Sequence, residues 1–530
     1  MANKNIFKSG ATTRRGVPQA DTINEAGGKA YKSSDKQALA QIAATNCFNG
    51  TYYASSEENL KLAKDAALKL RNDPEFIAKV ALYSRDRAYM KDMPSFLTVV
   101  LADTDKTLFR KVFRKVIDNG KMLRNFCQMA RSGAVTGRVF NLSSGAIRRA
   151  VQEWFDSRSP DAIFRATVGN NPTLKDVLRM CRPRPNTPEK EALFGYIIGK
   201  KVEFEALPQI VQQYERFKAT REGEVPNVDF RMLDSLGLNE VEWKAIARDA
   251  KWMMTRMNLN TFARHGVFKD GEMTKMIAAR LRDPENIKQA RAFPYQLFSA
   301  WKATSETEGV PFEVRDSLQD AMELAIDNVP TIEGQIYVCV DQSGSMSASV
   351  TGSGGWGSAK ASEVRCADVA GLVASAVIRK NRSAEVWTFN STGQKVTLNP
   401  RDTVLTNCQK LAQAGGGTNI SAPLAALNAQ KAKGSAVIYV SDNESWVDSG
   451  YGYGTGLMTE WETFQRRNKD AKLICIDLLA RANSQVKERK NILQVGGFSD
   501  QVFDVVASFV EHGSDSQNHW VDEIERVSID

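Results

Sequence analysis

Residues 335–345 read QIYVCVDQSGS. The first six form a short, β-rich apolar run that stops at Asp341. A strand buried by helices on both faces of its sheet reads this way. The pattern repeats downstream. A helix pattern at about 361–380 leads to a strand at 384–389 and a second strand candidate at 394–398. Helix patterns at 402–413 and 420–432, a strand at 436–440, a helix at 459–468, a strand at 473–478 and a helix at 500–511 follow. Apolar strands alternating with helices predict a doubly wound, mostly parallel α/β sheet over 331–530. Such sheets bind ligands at the carboxyl ends of their strands, which here means the residues after Val340 and Val440.

Those residues are polar in a particular way. Asp341-Gln342-Ser343-Gly344-Ser345 sets one carboxylate and two hydroxyls at alternate positions of a tight turn. Gly415-Gly416-Gly417-Thr418-Asn419 is a glycine loop ending in a third hydroxyl. Ser441-Asp442-Asn443-Glu444 brings a second carboxylate after the strand AVIYV. Three hydroxyls and two carboxylates, with waters, make a hard oxygen site. Magnesium suits it, because this ion takes few carboxylates and keeps waters. The three segments resemble the metal-ion-dependent adhesion site of von Willebrand factor A domains. That resemblance implies Asp341, Ser343, Ser345, Thr418 and Asp442 as the metal residues, and a metal shell often completed by a partner's carboxylate. Asn443 stands where glycine is commoner, which leaves ligation by Asp442 direct or through water. Glycine-rich insertions at 347–358 and 449–456 are expected to overhang the site.

Upstream of 331 the pattern is almost wholly helical from about residue 35, behind a basic tail at 1–18. Ser55 with Glu58 makes a capping box, and Asp73-Pro74-Glu75 a cap followed by a first-turn proline and acid. Residues 105–118 put Leu108, Val112, Phe113, Val116 and Ile117 on one face. Further helices are expected at about 121–131, 145–157, 174–182, 188–200, 204–218, 239–254, 294–304 and 312–328. Many helices of 10–18 residues with short links suit an α-solenoid of helix pairs over 19–330.

Composition excludes several classes. The chain has 530 residues, 42% hydrophobic and 25% charged, which suits two to four globular domains. Its longest apolar stretch, 369–378, is too short to cross a bilayer. No apolar signal core opens the chain, and its seven cysteines include no CxxC pair, so a reduced cytoplasmic protein is expected. Glycine runs at 27–29 and 352–360 lack the GxxxxGK[ST] phosphate loop. The net charge of +9 is unevenly placed. Residues 331–530 hold 19 Lys and Arg against 22 Asp and Glu, leaving 52 against 40, or +12, in residues 1–330. A polyanion partner is therefore expected for the helical half alone.

The basic residues there fall on lines: Lys106, Arg110 and Arg114 with Lys111 and Lys115; Lys121, Arg124, Arg131 and Arg138; Arg148 with Arg149; and Lys175, Arg179, Arg182 and Arg184. Stripes on a solenoid can track a phosphate backbone. Residues 19–330 also resemble the TROVE module of the Ro autoantigen family. The segments that carry this are 24–31 (NEAGGKAY), 49–53 (NGTYY), 146–155 (AIRRAVQEWF), 174–179 (LKDVLR) and 291–297 (RAFPYQL). With the A-domain motifs behind them, the resemblance covers nearly the whole chain.

The resemblance implies a multidomain protein, an α-helical HEAT-like repeat ring clasped by the A domain. It implies small structured Y RNAs on a basic outer surface and single-stranded ends of misfolded RNAs in the cavity. In bacterial relatives it implies an association with exoribonucleases. By position Arg148, Arg149, Lys175 and Arg179 are the implied RNA contacts, with Arg131 and Arg138 behind them. Leu174 stands where the family has histidine, and Arg182 and Arg184 are expected to supply phosphate contacts instead. The expected function is a non-enzymatic RNA-binding scaffold. The alternative is an A-type protein-interaction adaptor with incidental RNA binding. A metal-dependent ribonuclease is disfavoured, since three histidines and one magnesium site offer no evident nucleophile activation.

Overall fold

The computed structural model describes residues 17–290, 294–305, 307–326, 329–350, 364–448, 450, 452–499, 501–512 and 518–530. Most of the basic tail, 291–293 of the RAFPYQL segment, most of the first glycine-rich insertion, and residues 449 and 451 of the second lie outside the described residues. Helices begin where the sequence supplies caps. Ser55 Oγ accepts from Glu58 N at 3.2 Å, and the Glu58 carboxylate accepts from Ser55 N at 2.7 Å. Asp73 Oδ1 accepts from Phe76 N at 3.1 Å. Each cap satisfies amides that the first helical turn leaves without partners.

The helical half runs through α1 (Asp35–Thr45), α2 (Ser56–Lys69), α3 (Pro74–Asp86), α4 (Asp92–Thr104), α5 (Lys106–Val116), α6 (Gly120–Ser132), α7 (Gly145–Asp156), α8 (Pro160–Arg165) and α9 (Leu174–Cys181). It continues through α10 (Pro188–Ile198), α11 (Gln209–Thr220), α12 (Glu240–Asp249), α13 (Trp252–Met257), α14 (Leu259–Arg264), α15 (Gly271–Leu281), α16 (Pro284–Ala290), α17 (Pro294–Ser305) and α18 (Phe312–Ala325). Two expected helices are interrupted. The one at 204–218 is a short 3₁₀ turn at 204–206 followed by α11, because Pro208 has no amide to continue the ladder. The one at 239–254 breaks at Ala250, whose backbone is extended. The break buries Trp252, whose indole donates to Leu281 O at 3.0 Å, while Arg280 caps the carbonyls of Ala247 and Arg248. On α5, Phe109 joins Val112, Phe113 and Val116 in the core, while Leu108 is only partly buried.

The sheet is six-stranded. Its strands are β3 (Ile336–Asp341), β4 (Glu385–Phe389), β5 (Gly393–Val396), β6 (Ala436–Ser441), β7 (Lys472–Asp477) and β9 (Ile492–Gly496), in the order β5-β4-β3-β6-β7-β9. All neighbours are parallel except β4 with β5. Helices α19 (Cys366–Lys380), α20 (Val404–Leu411), α21 (Ala422–Ala429), α22 (Gly456–Arg467), α23 (Gln501–His512) and α24 (His519–Glu525) cover it. Side chains alternate across the pleat and split β3 between two cores. Ile336, Val338 and Val340 join the core that runs on into the helical half. Tyr337 and Cys339 join Trp387, Tyr439 and Trp461 on the other face.

Both ends of the helical array return to the A domain. At one end α1 packs on β9 and α24 on α3; at the other α17 packs on α19 and α18 on α20. The first turns of chain complete the join. The short strands β1 (Thr22–Ile23) and β2 (Lys29–Lys32) form an antiparallel hairpin, and β2 pairs with β8 (Asn483–Ser484) of the A domain. Asn24 Nδ2 donates to Ser445 O at 2.7 Å, and Ala26 N to Glu444 Oε2 at 2.8 Å. A Cβ on Gly28 would lie 1.9 Å from Ser445 O, so the close approach requires glycine. The NEAGGKAY and SDNE segments thus touch each other.

Lys36 and Lys79 hold Glu525 of α24 at 2.5 and 3.2 Å. Burial works against the Glu525 charge, yet hydrogen bonds from Lys36 and Lys79 keep its carboxyl below the usual glutamate range. A depressed carboxyl contributes stability above its unfolded pKa, near 4.3, and loses it as the pH falls through the folded value. Glu525→Gln is therefore expected to cost less than about 1 kcal/mol at neutral pH, because the pair is a third exposed. The cost should shrink in urea titrations as the pH falls below the usual glutamate range and through the lower folded value.

Candidate functional site

Parallel pairing of Val340 with Val440 brings the ends of β3 and β6 side by side. Asp341 is fully buried there. Its Oδ1 accepts from Ser343 N at 2.8 Å and its Oδ2 from Ser441 Oγ at 2.6 Å. The Ser343 and Ser345 hydroxyls lie 3.1 Å apart. The glycine loop is tied against this turn: Gly415 N donates to Gln342 O at 2.8 Å and Gly344 N to Gly416 O at 3.0 Å. Gly416 has φ +84°, a conformation that favours glycine. Buried Thr418 ends the loop, and its carbonyl accepts from Trp446 N and Val447 N of the β6 side. Asn443 has φ +68°, which explains how asparagine stands in for glycine. Its side chain donates to Asn483 O and accepts from Gln485 N, holding Asp442 inward.

Asp442 is fully buried, and its Oδ2 has no hydrogen-bond partner among the described residues. Burial pushes the Asp341 carboxyl up, and the charge of Asp442 adds to it. Burial pushes Asp442 up against the pull of Arg481. Two facing buried carboxylates, an orphaned oxygen and adjacent hydroxyls are the donor set a hard cation fits. The five side chains expected from the sequence are those that could hold one.

Two neighbours of the site lay outside the sequence reading. Tyr53, in the loop after α1, reaches it from the helical half: burial and then the Asp442 charge push its phenol up, against a hydrogen bond with Ser345. Arg481, wholly buried, makes ion pairs with Glu444 at 2.8 Å and Glu25 at 3.0 Å. At the rim, Trp446 and Val447 are exposed beside the glycine loop.

The basic residues form a surface over α5, α6, α7 and α9. Helices α5 and α7 pack together, as do α6 with α9 and α7 with α9. Arg149 is exposed, and it lines a groove of about 350 Å³ with Lys106, Arg110, Lys111 and Arg114. Arg148 is half-buried beside it. The α5 stripe is partly neutralised from within. Arg110 and Arg114 both bind Glu153 of α7, at 2.6 and 2.9 Å, and Lys111 binds Asp530 at 2.5 Å. Lys175 is half-buried on α9, and Arg179 one turn on is exposed. Arg182 caps α9 in the left-handed conformation, and the Arg184 backbone exchanges two hydrogen bonds with Gln152 of α7. Arg131 reaches Met180 Sδ at 3.1 Å. Arg138 stands apart, paired with Asp103 at 3.3 Å and stacked on Phe140. The line through Arg124 is broken: this side chain is buried, donating to Ala166 O at 2.8 Å, so it braces α6 rather than facing out.

Comparison with known proteins agrees with the fold. A family model described as the Ro60 vWA domain matches residues 335–510, and the TROVE domain model matches 173–320. The chain is 23% identical to a protein named RNA-binding protein RO60 from Deinococcus radiodurans, over 92% of this chain and 94% of that one. The crystal structure of the Deinococcus radiodurans RO (RSR) protein superposes with a TM-score of 0.61 at 20% identity, covering 90% of this chain and 99% of that one. Among the described residues no helix is long and apolar enough to cross a membrane. The helical array starts and ends on one A domain, the TROVE model matches part of the array and the Ro60 vWA model matches the A domain, so the chain carries both domains in that order and is similar to bacterial Ro proteins.

Proposed function

We propose that this protein is an RNA-binding scaffold. The observation that carries the reading is the groove where Lys106, Lys111 and Arg149 meet Arg110 and Arg114, continued across α7 and α9 by Arg148, Lys175 and Arg179. The relative named as an RNA-binding protein supports RNA as the polyanion. In this reading a small structured, Y-like RNA lies on the basic surface through phosphate contacts, with Arg131, Arg182 and Arg184 at its margins and Arg138 beyond. Single-stranded ends of misfolded RNAs enter the ring. Shape and charge set selectivity more than base edges do. An exoribonuclease is the class of partner that would act on ends so presented, and the scaffold itself performs no chemistry. Asp341, Ser343, Ser345, Thr418 and Asp442 would hold Mg²⁺, which when bound supplies an open position for a partner's carboxylate. The exposed Trp446 and Val447 beside it offer that partner apolar contact.

Arg148→Ala with Arg149→Ala is expected to weaken binding of a structured RNA and lower the slope of log K against log salt by about 1–2. Fluorescence anisotropy at several salt concentrations measures both. An unchanged slope would remove these two residues from the interface.

A further inference from the structure

Beside the basic surface lies a cleft of different chemistry. It has a volume of about 510 Å³, within the usual range of about 300–1,000 Å³ for ligand sites. Its floor is the buried ring of Phe164 on α8. Tyr196 of α10 and Tyr214 of α11 stand on that ring edge-to-face, with centroids 6.2 and 5.5 Å away. Both tyrosines are partly exposed, and both hydroxyls are tied down. Tyr196 donates to Glu215 Oε1 at 2.5 Å and Tyr214 to Met232 O at 3.1 Å. Lys218 lies 5.8 Å above the Tyr214 ring and 3.5 Å from Glu215. Lys175 also lines the cleft, on the same helix as Arg179.

We propose that this cleft takes one unpaired nucleotide of a bound RNA. The base stacks on the fixed Tyr196 and Tyr214 rings, and its flanking phosphates meet Lys175 and Lys218. Aromatic platforms ringed by cations bind single strands in this way, whereas the neighbouring α5–α7 groove is lined by cations with no aromatic ring. Holding the rings in place beforehand reduces the ordering cost of binding. Glu215 adds selectivity. A carboxylate only accepts hydrogen bonds, so it favours guanine, which presents two adjacent N–H donors, over uracil, which presents one. The inference rests on the RNA reading above and adds to it a base-binding site.

The test compares two RNA hairpins, one blunt and one with a single-stranded guanosine tail, on the full chain. Tyr214→Leu is expected to weaken the tailed RNA roughly 5- to 140-fold and to leave the blunt RNA unchanged. Tyr214→Phe keeps the ring but loses its tie to Met232, and should weaken the tailed RNA far less than Tyr214→Leu does. Lys218→Ala, on the exposed rim, gives the same selective loss without disturbing packed rings. Glu215→Gln should erase the preference for a guanosine over a uridine tail. If neither Tyr214→Leu nor Lys218→Ala distinguishes the two hairpins, while Arg149→Ala still weakens both, the cleft is no base site and the scaffold reading stands. If the wild-type chain binds neither hairpin, both proposals fall.

Discussion

Arg481→Ala is expected to destabilise the protein by about 3–5 kcal/mol. The Arg481 and Glu444 side chains are both without solvent exposure, and Glu25 reaches them from the N-terminal hairpin. Removing the guanidinium leaves the Glu444 charge buried with no cation beside it. The desolvation cost of that carboxylate is then offset only by the Ala26 amide. The substitution also removes the Arg481–Glu25 ion pair, one of the ties between the hairpin and the A domain. Urea unfolding of the variant measures the loss, and a shift below 1 kcal/mol would show that the network is hydrated. Arg481→Met combined with Glu444→Leu should restore much of the stability, because an apolar pair of similar volume carries no desolvation penalty.

The second large effect concerns the oxygen site. Asp442→Asn is expected to abolish stabilisation by Mg²⁺ while leaving the chelator-treated protein at least as stable as wild type. Asp341 and Asp442 are both buried, and burial raises both carboxyls, with the charge of Asp442 raising Asp341 further. Neutralising one carboxylate relieves that repulsion and removes a hard donor in the same step. Wild type should gain about 2.7 kcal/mol at 100 times the metal's Kd, and the variant nothing. Thermal unfolding with and without Mg²⁺ separates the two contributions. Equal gains in both proteins would place the metal elsewhere.

The oxygen site was legible in the sequence because its parts are local. DQSGS and SDNE each follow a buried strand, and adjacent parallel strands must bring their ends together. Asn443 looked like a departure, yet its positive φ shows that the backbone there asks for a residue tolerant of the left-handed region. What was not legible depends on contacts distant in the chain. The α5 stripe read as a line of five basic residues, and nothing local shows that Glu153, about 40 residues on, takes two of them. Arg481 carries no signal in the sequence, since its partner Glu25 is some 450 residues away. The hairpin strands are two and four residues long, too short for a period of two to show. The aromatic cleft draws one to three residues each from α8, α9, α10 and α11, so no one stretch announces it.

Recognition of RNA, rather than of any polyanion, is what the basic helical surface is proposed to achieve. It is tested most directly by measuring the affinity of the full chain for a structured RNA hairpin with a single-stranded 3′ end and for a DNA duplex of equal length, between about 50 and 200 mM salt. The account predicts tighter binding of the RNA at every salt concentration, with a steep salt slope that falls in the Arg148→Ala, Arg149→Ala variant. Equal affinity for the two nucleic acids across the range would contradict it.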